Sequence, residues 1–115
     1  MNEQELKSRT KQFALRILKL VRALPKTVDG RVIGKQLIRA GTSVGANYRA
    51  ACRGRSKAEF IAKLGIVEEE ADECAFWLEL IIEGGLLKAA RVGKLLQEAN
   101  EITAIMVASR KGAAH

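Results

Sequence analysis

From Lys35 to Phe60 the chain reads KQLIRAGTSVGANYRAACRGRSKAEF, a pattern that makes sense only as a helix with three unlike faces. At about 100° per residue, Arg31, Lys35, Arg39, Arg49 and Arg53 cluster around one direction, while Ile33, Leu37, Val44 and Ala51 point the opposite way. A third face, through Gly34, Gly41, Gly45 and Cys52, has almost no side-chain bulk and lets another backbone approach closely. Such a helix packs on one side, closes on a neighbour along another and presents cations on the third. It needs other helices around it.

The rest of the chain supplies them. Leu6, Phe13, Ile17, Leu20 and Leu24 recur on one helical face, predicting helix 1 over residues 3–24, ended by Pro25, which disfavours the helical conformation of the residue before it. Asp29 is expected to cap helix 2, which should run to Arg53 and stop at a left-handed Gly54. Ser56-Lys57-Ala58-Glu59 has the form of a capping box, with Glu59 returning to the Ser56 amide and opening helix 3. Phe60, Leu64, Val67, Ala71, Cys74, Leu78 and Ile81 then alternate by four and three in a coiled-coil-like seam as far as Gly84-Gly85. Helix 4 is expected from Leu87, with Val92, Leu95, Leu96, Ala99, Ile102 and Met106 toward the same core. Short connections and the absence of any linker or repeat predict an all-α, antiparallel up-down four-helix bundle. It is one domain over residues 1–115, with frayed ends near 1–5 and 109–115.

Length and composition agree: 115 residues, 48% hydrophobic but only 4% aromatic, suit a single domain with an aliphatic core. The formal charge of +7 is unevenly placed, since residues 1–57 hold 14 of the 20 basic but 3 of the 13 acidic side chains. That bias points toward a polyanionic partner. No apolar run is long enough to span a bilayer and MNEQELKSRTKQ has no signal-peptide core, so no membrane association and a cytoplasmic location are expected.

Catalytic and metal chemistry find no support in the residue pattern. Cys52 and Cys74 lack CxxC or Cys/His spacing and read as small buried apolar groups, and the single His115 is terminal. The carboxylates Glu68, Glu69, Glu70, Asp72 and Glu73 lack the histidines of a di-iron bundle and spread around more than one face. Ser56 beside Lys57 is explained by the cap, and no phosphate-binding loop is present. The expectation is a protein that is not an enzyme, with no metal and no cofactor.

Gln36-Leu37, Arg39, the small run Ala40 to Ala46, Asn47, Gly54, Ser56 and Glu59-Phe60, followed by residues 68–73 and Phe76-Trp77-Leu78-Glu79-Leu80, together resemble a known family. It is the small bacterial four-helix-bundle family often encoded within intervening sequences of 23S ribosomal RNA genes. The resemblance runs from about Phe13 to Met106. It implies a compact antiparallel bundle that tends to form ring-shaped pentamers, nucleic-acid binding and no assigned catalytic residues. A more distant similarity is to the accessory protein of diversity-generating retroelements, which works with a reverse transcriptase. The chain departs from the family at Tyr48-Arg49-Ala50-Ala51, where many members carry an acidic residue.

Two surfaces follow. The nucleic-acid surface is expected to comprise Arg31, Lys35, Arg39, Arg49 and Arg53, extended by Arg55 and Lys57, since cations one or two turns apart can track a phosphate backbone. The oligomer interface is expected at Gly41 and Gly45 and at a second apolar face of helix 3 containing Ile66, Phe76 and Leu80. RNA or DNA is the first expected ligand. The alternative is a protein-interaction scaffold or an accessory subunit of a nucleic-acid enzyme such as a reverse transcriptase. Asn47, on the flank between faces, is expected to bond across a helix contact.

Overall fold

The glycine face of the central helix sets how closely the chain can pack, and the computed structural model, which describes residues 1–115, shows what fills it. Four α-helices form: α1 (Glu3–Arg22), α2 (Val28–Cys52), α3 (Lys57–Glu83) and α4 (Ala89–Ala114). They pack as an elongated bundle of 45 × 20 × 19 Å, each helix neighbouring the next, α4 closing back on α1, and α1 diagonal to α3. The α1/α4 seam is the sparsest of the four.

Helix boundaries follow local chemistry that the sequence reading placed only in part. Asn2 caps α1 through Glu5 N–H at 2.8 Å, and Leu24 is buried although the helix stops at Arg22. Thr27, not Asp29, is the N-cap of α2: its Oγ1 accepts from Gly30 N–H at 3.2 Å, while the Asp29 carboxylate supports the turn by accepting from the Thr27 hydroxyl and from Gly30 N–H. Ser56 caps α3 as expected by accepting from Glu59 N–H at 3.1 Å, but the Glu59 carboxylate accepts from Arg55 N–H rather than Ser56 N–H. Gly54 is not left-handed; the only positive φ is at Gly85, where Leu86 N–H and Gly85 N–H donate to Ile81 and Ile82 carbonyls and turn the chain into α4. α4 begins at Ala89 and continues past Ser109 to Ala114. Arg110 explains the extension: its Nε donates to Glu68 of α3 at 3.0 Å and holds the last turns against the bundle.

The core is the aliphatic set the periodicities select. Phe13, Ile17, Leu37, Val44, Leu64, Val67, Leu78, Ile81, Val92, Ile102 and Met106 are fully enclosed, whereas Leu96 and Ile33 are half-buried at its edge. Cys74 lies among them, and burial pushes its thiol up to about 12, consistent with an inert packing group. Gly41 and Gly45 pack against α1 of the same chain. A Cβ at Gly41 would lie 2.9 Å from Ile17 side-chain carbons, and one at Gly45 would lie 3.3 Å from the Thr10 carbonyl oxygen. The close approach expected between subunits is made within the chain instead: these glycines close the intramolecular α1/α2 seam, where a Cβ at Gly41 would crowd Ile17 and one at Gly45 would press on the α1 backbone.

Candidate nucleic-acid interface

Because α1 lies so close to α2, cations on the two helices share grooves. Near one end of the seam Lys7 and Lys11 of α1 line a groove with Arg49 and Arg53, together with Ser8, Thr42 and Gly45. Near the other, Arg22 and Lys26 line a second groove with Arg31 and Lys35, above Gly34 and Ile38. No carboxylate lines either groove. Of these eight cations only Lys7 has an ionic partner, Glu3 one turn away at 3.2 Å. Apart from half-buried Lys7, the row is exposed and positively charged along the seam.

Four of the predicted cations, Arg31, Lys35, Arg49 and Arg53, belong to this row. Arg39 does not. It turns toward α3, donates to Glu70 at 2.9 Å and to Glu73, and is committed to an interhelical ion pair within the chain. Glu73 also accepts from the Trp77 indole N–H at 2.9 Å. That bond, followed by the bonds and charge from Arg39, holds the Glu73 carboxyl below its usual range against the opposing effect of burial. Arg55 is exposed on the turn between α2 and α3, Lys57 is exposed at the first residue of α3, and neither lines a groove.

Lys7, Lys11, Arg22 and Lys26 lie outside the stripe that helix 2 defines by itself. The signal was present: residues 6–28 contain seven cations and no acid. Tyr48 is enclosed, and burial drives its phenol pKa upward, so it offers no ring to a base. Asn47 donates to Ser43 O and Oγ at 3.0 and 2.7 Å, a bond within α2 rather than across a helix contact.

The opposite side of the bundle differs in character. Ile66 and Phe76 are exposed on α3, Phe76 by 52%, with half-buried Leu80 on the same face. The Phe76 ring meets Trp77 edge-on at 5.2 Å. Exposed Glu69, Asp72, Glu79 and Glu83 intersperse this apolar surface. No group of His, Cys, Asp or Glu is arranged as a metal site, and no helix is long and apolar enough to cross a membrane.

A four-helix bundle with a cationic seam and an acidic, apolar opposite face is the class these features define. Within that class, the chain belongs to the 23S rRNA-intervening sequence protein family, whose sequence profile matches residues 2–108. It is also similar, at 34% identity and a TM-score of 0.88, to a crystal structure of a protein of unknown function from the S23 ribosomal protein family of Bacteroides thetaiotaomicron; 96% of this chain and 99% of that one are covered. No curated protein sequence matches it.

Proposed function

We propose that this protein is a noncatalytic, cytoplasmic, oligomeric bundle that binds structured RNA through the α1/α2 seam. The observation that carries the reading is the pair of grooves lined by eight cations and no carboxylate. Placing phosphates there releases counterions, a large favourable contribution that does not require base reading. With Tyr48 enclosed, recognition rests on backbone and shape. The family's description, which refers to 23S rRNA intervening sequences, is consistent with an RNA ligand.

Self-association is assigned to the outer face of α3, where Ile66, Phe76 and Leu80 expose apolar surface away from the basic seam. The pentamer implied by the family resemblance would then array several seams on one particle. The same face favours a second reading: an exposed Phe76 among acids is also suited to a basic protein partner, as an accessory subunit of a nucleic-acid enzyme such as a reverse transcriptase would need.

The test is the salt dependence of RNA binding by the wild type and by a Lys11→Gln, Arg49→Gln, Arg53→Gln variant. The variant should remain helical, bind more weakly and show a flatter log–log plot, by roughly 0.7 to 0.9 per lost phosphate contact. Wild-type affinity and slope in the variant would remove the seam as the site. Failure of the wild type to bind RNA at low salt would favour the protein partner.

A further inference from the structure

The α1/α2 seam has a counterpart on the far flank of α1. There Arg16 and Lys19 line a groove with Arg91 and Lys94 of α4, over Leu20 and Leu95. None of the four cations is in an ion pair and no carboxylate lines the groove. Elsewhere on this seam Arg9 is gripped by Glu98 at 2.6 and 2.7 Å and by Glu101 at 3.0 Å. The seam can therefore neutralise a cation, yet leaves these four open. Across α1 lies the groove of Arg22, Lys26, Arg31 and Lys35. The C-terminal half of α1 is thus a ridge one helix wide, about 10–12 Å with side chains, with four unpaired cations in each flanking groove.

We propose that this ridge straddles the double-helical stem of an RNA, one strand's phosphates entering the α1/α2 groove and the other's the α1/α4 groove. The inference rests on the RNA-binding reading and names the ligand's form. A single strand needs one cationic row and aromatic platforms for its bases; here there are two rows, and Phe76 and Trp77 lie on α3, diagonally across the bundle from α1. A-form RNA presents a wide, shallow groove recognised by shape, phosphates and 2′-hydroxyls. The exposed crest of α1 suits that surface, with Gln12 able to reach a hydroxyl and Leu15 making no demand on base edges. The deep major groove of B-form DNA also admits a helix, but specific recognition there depends on hydrogen-bonding side chains aimed at bases.

The experiment compares an RNA duplex, a DNA duplex of the same sequence and the separate RNA strands, each titrated with wild type and with Arg91→Gln, Lys94→Gln protein. The wild type should prefer the RNA duplex. The variant should bind that duplex more weakly, with a salt slope reduced by roughly 0.9 for each lost contact by analogy with duplex DNA, and bind single strands unchanged. Arg16→Gln, Lys19→Gln on the other wall should reproduce the loss. Circular dichroism and light scattering establish that each variant keeps its fold and mass. Wild-type duplex binding in both variants, alongside loss in the Lys11, Arg49, Arg53 variant, overturns the straddling inference and leaves the seam standing as an RNA site. Equal affinity for single strands or for DNA also overturns it, and no binding of any nucleic acid defeats both proposals.

Discussion

Replacing Gly41 by alanine adds one methyl group to the seam that brings α1 and α2 together. Its carbon would lie 2.9 Å from both γ-carbons of Ile17 and 3.1 Å from the Ile17 β-carbon. Ile17 is fully buried, and its branched side chain is restricted to one main rotamer in a helix, so it cannot swing aside. Overpacking of this kind costs about 1–3 kcal/mol. Alanine's better helix propensity returns about 1 kcal/mol, leaving a net loss of about 0–2 kcal/mol. The matched control is Gly93→Ala on α4, where a Cβ meets nothing within 4 Å and propensity alone should stabilise by about 1 kcal/mol. Propensity cancels between the two variants, so their difference, about 1–3 kcal/mol, reports the packing cost. Urea unfolding followed by far-ultraviolet circular dichroism measures it, at one protein concentration because self-association would contribute. Combining Gly41→Ala with Ile17→Ala should recover about 0.5–3 kcal/mol relative to additivity. A Gly41→Ala protein as stable as Gly93→Ala, or an additive double variant, would refute the close-contact account.

Other substitutions probe the remaining devices. Thr27→Ala should cost about 0.5–2 kcal/mol by removing the α2 cap, measured by the same unfolding assay; no loss would return the capping role to Asp29. Glu73 is held below its usual carboxyl value of 4.5, so its contribution is present above that value and lost as pH falls through the lower folded value. Trp77→Phe removes the largest cause and should shrink the acid-induced loss of stability, whereas an unchanged acid limb would assign that loss to other carboxylates. Phe76→Glu should shift the assembly toward monomer in light scattering without reducing helicity, and an unaltered mass would exclude this face of α3 as the subunit contact.

The fold was legible because each helix carries a strong apolar period, Phe13-Ile17-Leu20 on α1 and Leu64-Val67-Ala71-Cys74-Leu78-Ile81 on α3, and all of these residues are buried. The glycine face was legible as a place of close approach, but periodicity within one helix does not say whose backbone approaches. Gly41 and Gly45 therefore suit a subunit contact equally well by sequence, and only the position of α1 shows what fills the space against them. Arg39 stands outside the grooves for a related reason. Its angle on α2 lies within about 40° of the direction the other cations share, and only the three-dimensional position of Glu70 and Glu73 removes it from the row. The site itself spans two helices, so half its cations were invisible to a reading of α2 alone, although the acid-free stretch 6–28 announced them. At the start of α2 the single Gly30 N–H has two neighbouring acceptors, Thr27 and Asp29, and at α3 the Glu59 carboxylate has more than one donor within reach, so which bonds form is set by turn geometry rather than residue type.

The central claim is that RNA lies along the α1/α2 seam, and lysine acetylation footprinting with mass spectrometry tests it most directly. Lys11, Lys26 and Lys35 line the seam, whereas Lys111 is exposed on the final turns of α4. Structured RNA at low salt should slow acetylation of the three seam lysines and leave Lys111 reactive, with the protection fading as salt is raised. Seam lysines that react at the same rate with and without saturating RNA, or protection confined to Lys111, would contradict the account.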